Sequence, residues 1–322
     1  MVLFSEIEDA YNRIKGTINH TPVMTSRTLN EMVKGTVYIK CENYQRMGAF
    51  KFRGAYNTIS QLSKEQKAKG VVTHSSGNHA QAVALASKLL GIKATIVMPD
   101  VSPVVKVNAT RDTYGATVVM CKNTQQDRES TTQELIDEHG YTLVHPYDND
   151  DVIRGAGTAA YELIQEKGDI DYMFCPVGGG GLLSGTAIAT KGCCPSSKVI
   201  AVEPELANDA YRSFKEKKLL KNESTPRTIA DGLRTNLSER TFKIIIENVD
   251  QIILVSEREI LDALRFIWER MKMIVEPSGA VPLAGVLSGQ LDLENKRIGV
   301  IISGGNIDLG AFFKLLEEKL PK

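Results

Sequence analysis

The chain has 322 residues, of which 42% are hydrophobic and 24% charged, so it can bury a large core in one to three domains. Lysine plus arginine and aspartate plus glutamate both number 39, and this net charge of zero gives no reason to expect nucleic acid or an anionic membrane as a partner. There is no apolar run of about 18 residues, and the N-terminus lacks the basic and apolar regions of a signal peptide.

The cysteines and histidines carry no ligand or disulfide pattern. The five cysteines are odd in number and show no C-x-x-C spacing, and the five histidines show no H-E-x-x-H spacing. A disulfide framework and a zinc site are therefore not expected. Reduced thiols of this kind predict a cytoplasmic protein.

The first part of the chain predicts a helix, a strand and a second helix, followed by a regular alternation. The first helix covers residues 5–15, with Ser5 as its cap and Glu8 three positions later. A strand at 36–40 and a helix from about 48 to 62 follow. The alternation then predicts a small lobe of parallel strands about 75 residues long, with strands at 70–74, 94–98, 116–121 and 141–144 and helices at 78–90, 103–114 and 126–139.

The alternation resumes in the second half, where residues 205–240 interrupt it with a polar segment predicted to be irregular. The remaining predicted helices are 152–166, 182–191, 257–271, 277–287 and 309–320, and the strands are 171–177, 198–202, 251–255 and 297–302. The pattern predicts an α/β fold of two lobes with a cleft between them. The expected division is a large domain of residues 1–69 and 149–322 and a small domain of residues 70–148.

Four consecutive glycines, Gly178-Gly179-Gly180-Gly181, connect an apolar predicted strand to a predicted helix. Without Cβ atoms, the backbone N–H groups can converge on one anion, and the helix dipole adds positive potential at the same point. The alternative is a tight turn that needs glycine for packing. Four in a row is more than a turn requires, so an anion site is favoured. The spacing does not match a P-loop and gives only weak support to a dinucleotide site.

Lys51 lies at a predicted helix start between Phe50 and Phe52. Most lysines are solvated surface charges. Here two aromatic neighbours and the positive end of a helix dipole are both expected to lower the pKa of the ammonium group. A free amine near neutral pH is what Schiff-base chemistry requires.

Two polar turns follow predicted strands. His74-Ser75-Ser76-Gly77-Asn78-His79 can form a carboxylate cradle at a helix N-terminus, or it can be an ordinary N-cap made by Ser76 or Asn78. Ser303-Gly304-Gly305-Asn306 can place a hydroxyl in a cleft at the end of a sheet, or it can be a turn into the last helix. For each motif taken alone, the two interpretations are equally well supported.

Four motifs together resemble, in type and order, those of the fold-type II pyridoxal-phosphate (PLP) enzymes of the serine/threonine dehydratase group. In chain order they are G-A-F-K-F-R-G-A, S-S-G-N-H, G-G-G-G and S-G-G-N. The resemblance runs from Thr21-Pro22-Val23 to Asn306. Within the group it is strongest to the eukaryotic serine racemases and the related 3-hydroxyaspartate dehydratases. Biosynthetic threonine deaminases continue into a regulatory domain where this sequence stops. The resemblance implies a tryptophan synthase β-like fold.

The resemblance implies a role for each matching position. Lys51 would bind PLP through a Schiff base, with the cofactor phosphate in the loop of residues 178–181. Asn78 would contact the 3′-hydroxyl, Ser303 the pyridine nitrogen, and Gly232 would lie beside the ring. The residues implied on the substrate side are Ser75, Ser76, Asn78, His79, Arg128 and Thr235.

The resemblance implies serine racemisation by two acid/base groups, Lys51 and Ser76, on opposite faces of the substrate. Loss of the β-hydroxyl would give pyruvate and ammonia as a side reaction. The alternatives are a threo-3-hydroxyaspartate or serine/threonine ammonia-lyase with little racemase activity, and a non-catalytic PLP-binding protein. A Rossmann-type nucleotide-binding protein is a further alternative, which would bind NAD.

An acidic segment, Glu203-Pro204-Glu205-Leu206-Ala207-Asn208-Asp209, suits a hard divalent cation, although the residues alone favour a solvated loop. The resemblance implies a site for Mg²⁺, or for Ca²⁺ or Mn²⁺, made by Glu203, the Ala207 carbonyl and Asp209. It also implies a homodimer activated by ATP. The implied nucleotide residues are Tyr114, Arg270, Lys272, Glu276 and Asn306, and the alternative for Arg270, Lys272 and Glu276 is an exposed helix face.

Overall fold

The computed structural model describes residues 2–102, 104–310 and 312–314, and of residues 105 and 106 it describes the backbone. Most of the predicted last helix, 309–320, and the first residue of the predicted helix 103–114 lie outside the described residues. Among the described residues, no helix is long and apolar enough to cross a membrane.

The strands follow the apolar runs of the sequence closely. They are β1 (Val23–Met24), β2 (Thr36–Cys41), β3 (Val71–His74), β4 (Ala94–Pro99), β5 (Thr117–Cys121), β6 (Thr142–Leu143), β7 (Tyr172–Pro176), β8 (Lys198–Pro204), β9 (Gln251–Val255) and β10 (Arg297–Ile302).

The α-helices fill the connections. They are α1 (Phe4–Ile14), α2 (Arg27–Val33), α3 (Lys51–Ser60), α4 (Lys64–Lys69), α5 (Asn78–Leu90), α6 (Val104–Asn108), α7 (Gln125–His139), α8 (Asp150–Lys167), α9 (Gly181–Cys193), α10 (Asp209–Glu216), α11 (Glu239–Asn248), α12 (Glu257–Phe266) and α13 (Pro277–Leu287).

The strands form two sheets, which confirms the predicted α/β class. The large sheet has the order β1-β2-β10-β7-β8-β9, and only β1 runs antiparallel to its neighbour. The small sheet, β5-β4-β3-β6, is parallel throughout. The boundaries predicted for the two domains stay a prediction.

Helices cover both faces of the large sheet, as parallel sheets require. One core contains buried residues of α12 and α13, and the other contains residues of α8, α9 and α11. A third core joins α3 and α5 to the small sheet through residues such as Phe52, Val83 and Ile96. Helix α3 therefore packs on the small sheet, and through Gly54 it also closely approaches α8.

Parallel strands carry the predicted motifs to their carboxyl ends. The glycine loop follows β7, Ser303 follows β10, and the Ser75–His79 turn follows β3. In open α/β sheets, ligands bind beyond this edge. The order of strands thus places the glycine loop and Ser303 at the same edge of the large sheet and the Ser75–His79 turn at the corresponding edge of the small sheet.

Helix α1 corrects one predicted cap. The helix begins at Phe4, so Ser5 lies inside its first turn and does not cap it. Leu3 occupies the N-cap position, and its N–H donates to Glu6 Oε2 at 2.7 Å. Two predicted helices, 103–114 and 257–271, end in π-helical turns at Ala109–Thr113 and Ile267–Met271.

The segment predicted to be irregular, 205–240, contains helix α10 and the first residues of α11. Helix α10 is capped from a distance. The Glu203 carboxylate at the end of β8 accepts the N–H groups of Ala210 and Tyr211 at 3.0 and 2.8 Å. The local sequence did not predict this helix because its N-terminus is capped by Glu203 of the preceding strand.

Candidate active site

Lys51 is the first residue of α3 and is partly buried. Its Nζ donates to the Pro146 carbonyl at 2.7 Å and lies 5.2 Å from the centre of the Phe50 ring. Burial lowers the pKa of this amine to about 8. Phe52, the other predicted neighbour, packs in the core against Tyr56 instead.

The glycine loop leads directly into α9, and Gly180 takes a left-handed conformation with φ of 87°. The first hydrogen bond at the helix start runs from Ser184 N to Gly180 O at 2.8 Å, so the preceding N–H groups stand free of the helix ladder. A Cβ at Gly179 would lie 2.5 Å from the Tyr147 ring, and one at Gly178 would lie 2.9 Å from Leu233 Cα. Packing alone excludes side chains here, so the anion interpretation rests on the N–H groups and the helix N-terminus.

The turn after β3 leaves two hydroxyl groups near the start of α5. The N-cap of α5 is Gly77, so neither Ser76 nor Asn78 caps the helix as the alternative interpretation required. Ser75 Oγ accepts the Gly77 N–H at 3.2 Å, whereas no hydrogen bond is found for Ser76 Oγ within the described part of the chain. The Ser76 hydroxyl is therefore available to a ligand.

His79 faces away from this turn. It is 2% exposed, and its Nε2 contacts the Val144 carbonyl at 2.9 Å. Burial, followed by the Lys51 charge, holds the pKa of His79 well below its usual range, so the ring is neutral. Any part that His79 takes in a carboxylate cradle would come from its backbone N–H.

Asn78 connects the two ends of the site. Its Nδ2 donates to Glu276 Oε1 at 2.8 Å, and its Oδ1 accepts from Asn306 Nδ2 at 2.9 Å. Asn306 Nδ2 also contacts the Met47 carbonyl at 2.7 Å. Glu276 and Asn306, two of the predicted nucleotide residues, thus contact Asn78, a predicted cofactor residue, directly.

The other predicted nucleotide residues do not join this network. Arg270 and Lys272 are exposed, and Lys272 Nζ donates to the Glu269 carbonyl. Tyr114 is partly buried and lines a small cavity of about 150 Å³ beside Lys88 and Lys93. Glu276 is 6% exposed and precedes α13, so the alternative of an exposed helix face is wrong for this residue.

Ser303 and Gly232 are the remaining predicted cofactor residues. Ser303 is 5% exposed, and its carbonyl accepts the Phe50 N–H at 2.9 Å, which ties the end of β10 to the residue before Lys51. The Gly232 N–H donates to Ser278 Oγ at 3.0 Å. A Cβ at Gly178 would lie 3.2 Å from Gly232 O, so Gly232 adjoins the glycine loop.

The two weaker substrate candidates differ in position. Arg128 is partly buried on α7, and its Nε donates to the Thr124 carbonyl at 3.1 Å. Its charge contributes to the lowered pKa of His74, which burial dominates, so the guanidinium lies within electrostatic range of the Ser75–His79 turn. Thr235 is exposed.

Sequence reasoning missed the segment Val144–Asp148, which connects β6 to α8. His145 stacks edge-on with His74 and with Tyr147, at centroid distances of 5.6 and 4.8 Å. A histidine-proline pair after a strand was the available signal, since such a pair stands at the carboxyl edge of the small sheet.

The acidic segment is not a solvated loop. Glu203 and Asp209 are 0% and 1% exposed, and Ala207 is also buried. Burial, followed by Asp209, raises the pKa of Glu203 well above its usual range, and burial raises that of Asp209 to about 6. No group of three or more His, Cys, Asp or Glu suited to a metal occurs among the described residues. Two buried carboxyl groups in one short segment nevertheless offer the oxygen ligands that a divalent cation prefers.

The residues also fit PLP. An amine with a lowered pKa, a helix N-terminus free of side chains and an amide at the start of α5 are the groups that its aldehyde, phosphate and hydroxyl require. These groups lie at the carboxyl edges of both sheets, where the resemblance expects the cofactor.

Comparison with known proteins agrees with the motifs. A model of the family described as pyridoxal-phosphate dependent enzyme matches residues 14–304. The chain is 48% identical to an L-threo-3-hydroxyaspartate ammonia-lyase of Saccharomyces cerevisiae, over 98% of this chain and 97% of that protein. It is also 48% identical to a serine racemase of Dictyostelium discoideum, over 98% of each. The crystal structure of serine racemase from Dictyostelium discoideum superposes with a TM-score of 0.92 at 49% identity, covering 96% of this chain and 99% of that one. The chain therefore belongs to the family of pyridoxal-phosphate dependent enzymes.

Proposed function

We propose that this enzyme interconverts L-serine and D-serine and also dehydrates serine to pyruvate and ammonia. The observation that carries the proposal is that the chain offers two candidate acid/base groups, the Lys51 amine, whose pKa burial lowers to about 8, and a Ser76 hydroxyl for which no hydrogen bond is found in the described part of the chain. The similarity to serine racemases supports it.

Bound PLP supplies an electron sink that makes the Cα proton of an amino acid acidic. Lys51 and Ser76 would then exchange that proton on opposite faces of the substrate. The N–H groups ahead of α9 would hold the cofactor phosphate, and Asn78 its hydroxyl. Ser303 would present a neutral hydroxyl to the pyridine nitrogen of the cofactor. A carboxylate at this position would favour a protonated nitrogen, so the hydroxyl would limit side reactions.

A second candidate is a threo-3-hydroxyaspartate or serine/threonine ammonia-lyase with little racemase activity. Similarity to L-threo-3-hydroxyaspartate ammonia-lyases supports it equally well. Arg128 favours it specifically, because a partly buried guanidinium on the small-sheet side suits the second carboxylate of hydroxyaspartate.

Product analysis separates the candidates. Purified enzyme is incubated with L-serine, D-serine or threo-3-hydroxyaspartate, and the enantiomers and keto acids formed are quantified. A racemase converts either serine enantiomer into the other. A lyase yields only keto acid and ammonia, and a PLP-binding protein without activity yields neither.

Ser76→Ala is expected to reduce racemisation of L-serine by about 10²- to 10⁴-fold, because one of the two acid/base groups is lost. Elimination from L-serine needs only proton removal on one face and is expected to fall by less than about tenfold. Chiral chromatography and keto-acid release are measured on the same samples. Ser130→Ala on the exposed face of α7 is the control. Equal loss of both reactions would show that Ser76 is not the second base.

We further propose Mg²⁺, or Ca²⁺ or Mn²⁺, at Glu203, Ala207 and Asp209. Metal binding requires deprotonated carboxylates, and the raised pKa values mean that protons compete with the cation. Without metal, the stabilisation that Asp209 contributes is present below about pH 4 and is lost as the pH rises through about 6. The raised pKa of Glu203 acts in the same direction.

The stabilisation by Mg²⁺ is therefore expected to be larger at pH 7.5 than at pH 5.5, by several degrees in Tm. Thermal melts with EDTA or Mg²⁺ at both pH values measure it. Asp209→Asn is the matched control and is expected to lose most of the response. If Mg²⁺ raised Tm equally at both pH values, or not at all, the proposed metal site would be wrong.

Three finer assignments complete the proposal. ATP as an activator is supported by the contacts of Glu276 and Asn306 with Asn78, and it is tested by repeating the product analysis with and without ATP. A homodimer follows from the family resemblance and is tested by light scattering. The free cysteines of the described chain suit a reducing cytoplasm.

A further inference from the structure

The segment Val144–Asp148 contacts several separate parts of the candidate site. Its first residue is fixed to the small-sheet side, because the Val144 carbonyl accepts from Thr73 Oγ1 at 2.7 Å and contacts His79 Nε2 at 2.9 Å. Its last residue is fixed to the large-sheet side, because Asp148 Oδ1 accepts from Ser238 Oγ at 3.0 Å and Arg240 Nη1 at 3.1 Å. The residues between these two anchors therefore bridge the cleft.

The two middle residues touch the groups that matter for chemistry. The Pro146 carbonyl accepts the Lys51 amine at 2.7 Å. The Tyr147 ring lies against the glycine loop, close enough that a Cβ at Gly179 would overlap it. Proline fixes its own φ and carries no N–H, so the direction of this carbonyl depends on the residues that hold the turn.

His145 holds that turn from inside. Its Nδ1 accepts the Asp148 N–H at 2.9 Å, and the Tyr147 N–H also points to it at 3.4 Å. Both groups are donors, so Nδ1 must be unprotonated and the ring proton must lie on Nε2. The side chain is thus an obligatory acceptor that closes a four-residue turn, 145–148.

The surroundings of His145 keep that acceptor available. Burial lowers the pKa of His145 to about 4, and the nearby His74 and Lys51 act in the same direction. Asp148 opposes them with an effect smaller than that of His74 and larger than that of Lys51, and Glu129 opposes them most weakly. The imidazole is therefore neutral over the whole range in which Lys51 would work as a base.

We propose that His145 is a positioning residue, whose Nδ1 aims the Pro146 carbonyl at the Lys51 amine and the Tyr147 ring at the glycine loop. The inference deepens the proposed function, because it concerns the lysine that the proposal makes a base. An amine that donates one N–H to this carbonyl is held in one direction while its lone pair stays free.

The test measures Lys51 itself, in the full-length chain from which the cofactor has been removed. Amine acetylation is followed against pH by peptide mass spectrometry, with the exposed Lys64 as internal reference. In His145→Ala, the turn relaxes, water reaches the amine, and the pKa of Lys51 is expected to rise by about one unit. Its reactivity at pH 8 would then be about fivefold lower than in the unmodified chain.

Two further variants separate positioning from folding. His145→Asn places an amide oxygen near the position of Nδ1 and is expected to keep the reactivity of Lys51 within about twofold. His145→Gln places its oxygen nearer to Nε2 and is expected to resemble His145→Ala. His20→Asn, at an exposed histidine outside the cluster, is the control.

The inference is overturned if His145→Ala melts like the unmodified protein and leaves the titration of Lys51 unchanged. If that variant does not fold, identical Lys51 titrations in His145→Asn and His145→Gln overturn it. Failure of the proposed function is a separate outcome, because product analysis of the unmodified enzyme decides it whatever the titration of Lys51 shows.

Discussion

Lys51→Ala is expected to reduce both racemisation and elimination by at least about 10³-fold. The substitution removes the amine that we propose as both the covalent anchor of the cofactor and the base that moves the Cα proton, and a positioned base alone contributes about 10²- to 10⁴-fold. The burial that lowers the pKa of this amine to about 8 would prepare it for both proposed tasks. Activity and visible absorbance of the bound cofactor are measured together.

Lys51→Arg is the informative companion variant. It keeps a positive charge near the Pro146 carbonyl but cannot release a free amine at neutral pH. It is expected to be as inactive as Lys51→Ala while remaining folded. Lys64→Ala, on the exposed face of α4, is the control for loss of a lysine. Substantial turnover by Lys51→Ala would refute the assignment of Lys51.

Arg53→Met is expected to lower the free energy of unfolding by about 3–5 kcal/mol. Arg53 is completely buried two residues after Lys51. Its guanidinium bonds to Glu42 through Nε and Nη2 at 2.7 and 2.8 Å, and to Glu162 through Nη1 and Nη2 at 2.9 and 2.8 Å. Removal would leave two buried carboxylates with only Lys40, which lies 2.7 Å from Glu162, to balance them.

Urea denaturation at pH 7.5 measures this loss, and a surface pair provides the comparison. Arg258→Met breaks the ion pair with Asp262, whose side chains are 67% and 56% exposed, and is expected to cost less than about 0.5 kcal/mol. Arg53→Lys keeps the charge without the planar fork, so it should fall between the two. A loss below about 1 kcal/mol in Arg53→Met would show that the network does not hold α3 in place.

The elements that sequence predicted best are those decided by short-range patterns. Strands β9 and β10 and helices α5 and α13 have the predicted bounds. Apolar runs mark the strands, Gly77 and Gly91 flank α5, and Pro277 begins α13. The glycine loop was also placed correctly between strand and helix. Its proposed role as an anion site rests on local features that the sequence displays directly, namely glycine content and a helix N-terminus.

Helix α10 and the burial of the acidic segment could not be predicted from the local sequence. The sequence favoured an exposed, irregular loop because carboxylates are usually solvated. Burial of Glu203, and its use as a distant cap for α10, depend on how β8 packs against the rest of the large sheet. No neighbour in the sequence carries that information.

The sequence by itself determined the α/β class and the family, since residue types at strand ends specify these through local chemistry, and it also predicts the lysine. Only the tertiary structure decided which distant residues meet. Asn78 and Glu276 are 198 positions apart yet share a hydrogen bond, and Lys51 reaches the Pro146 carbonyl across 95 positions. Such contacts arise where the fold brings loops that follow strands of both sheets together, and burial there sets the pKa of Lys51 and of His145.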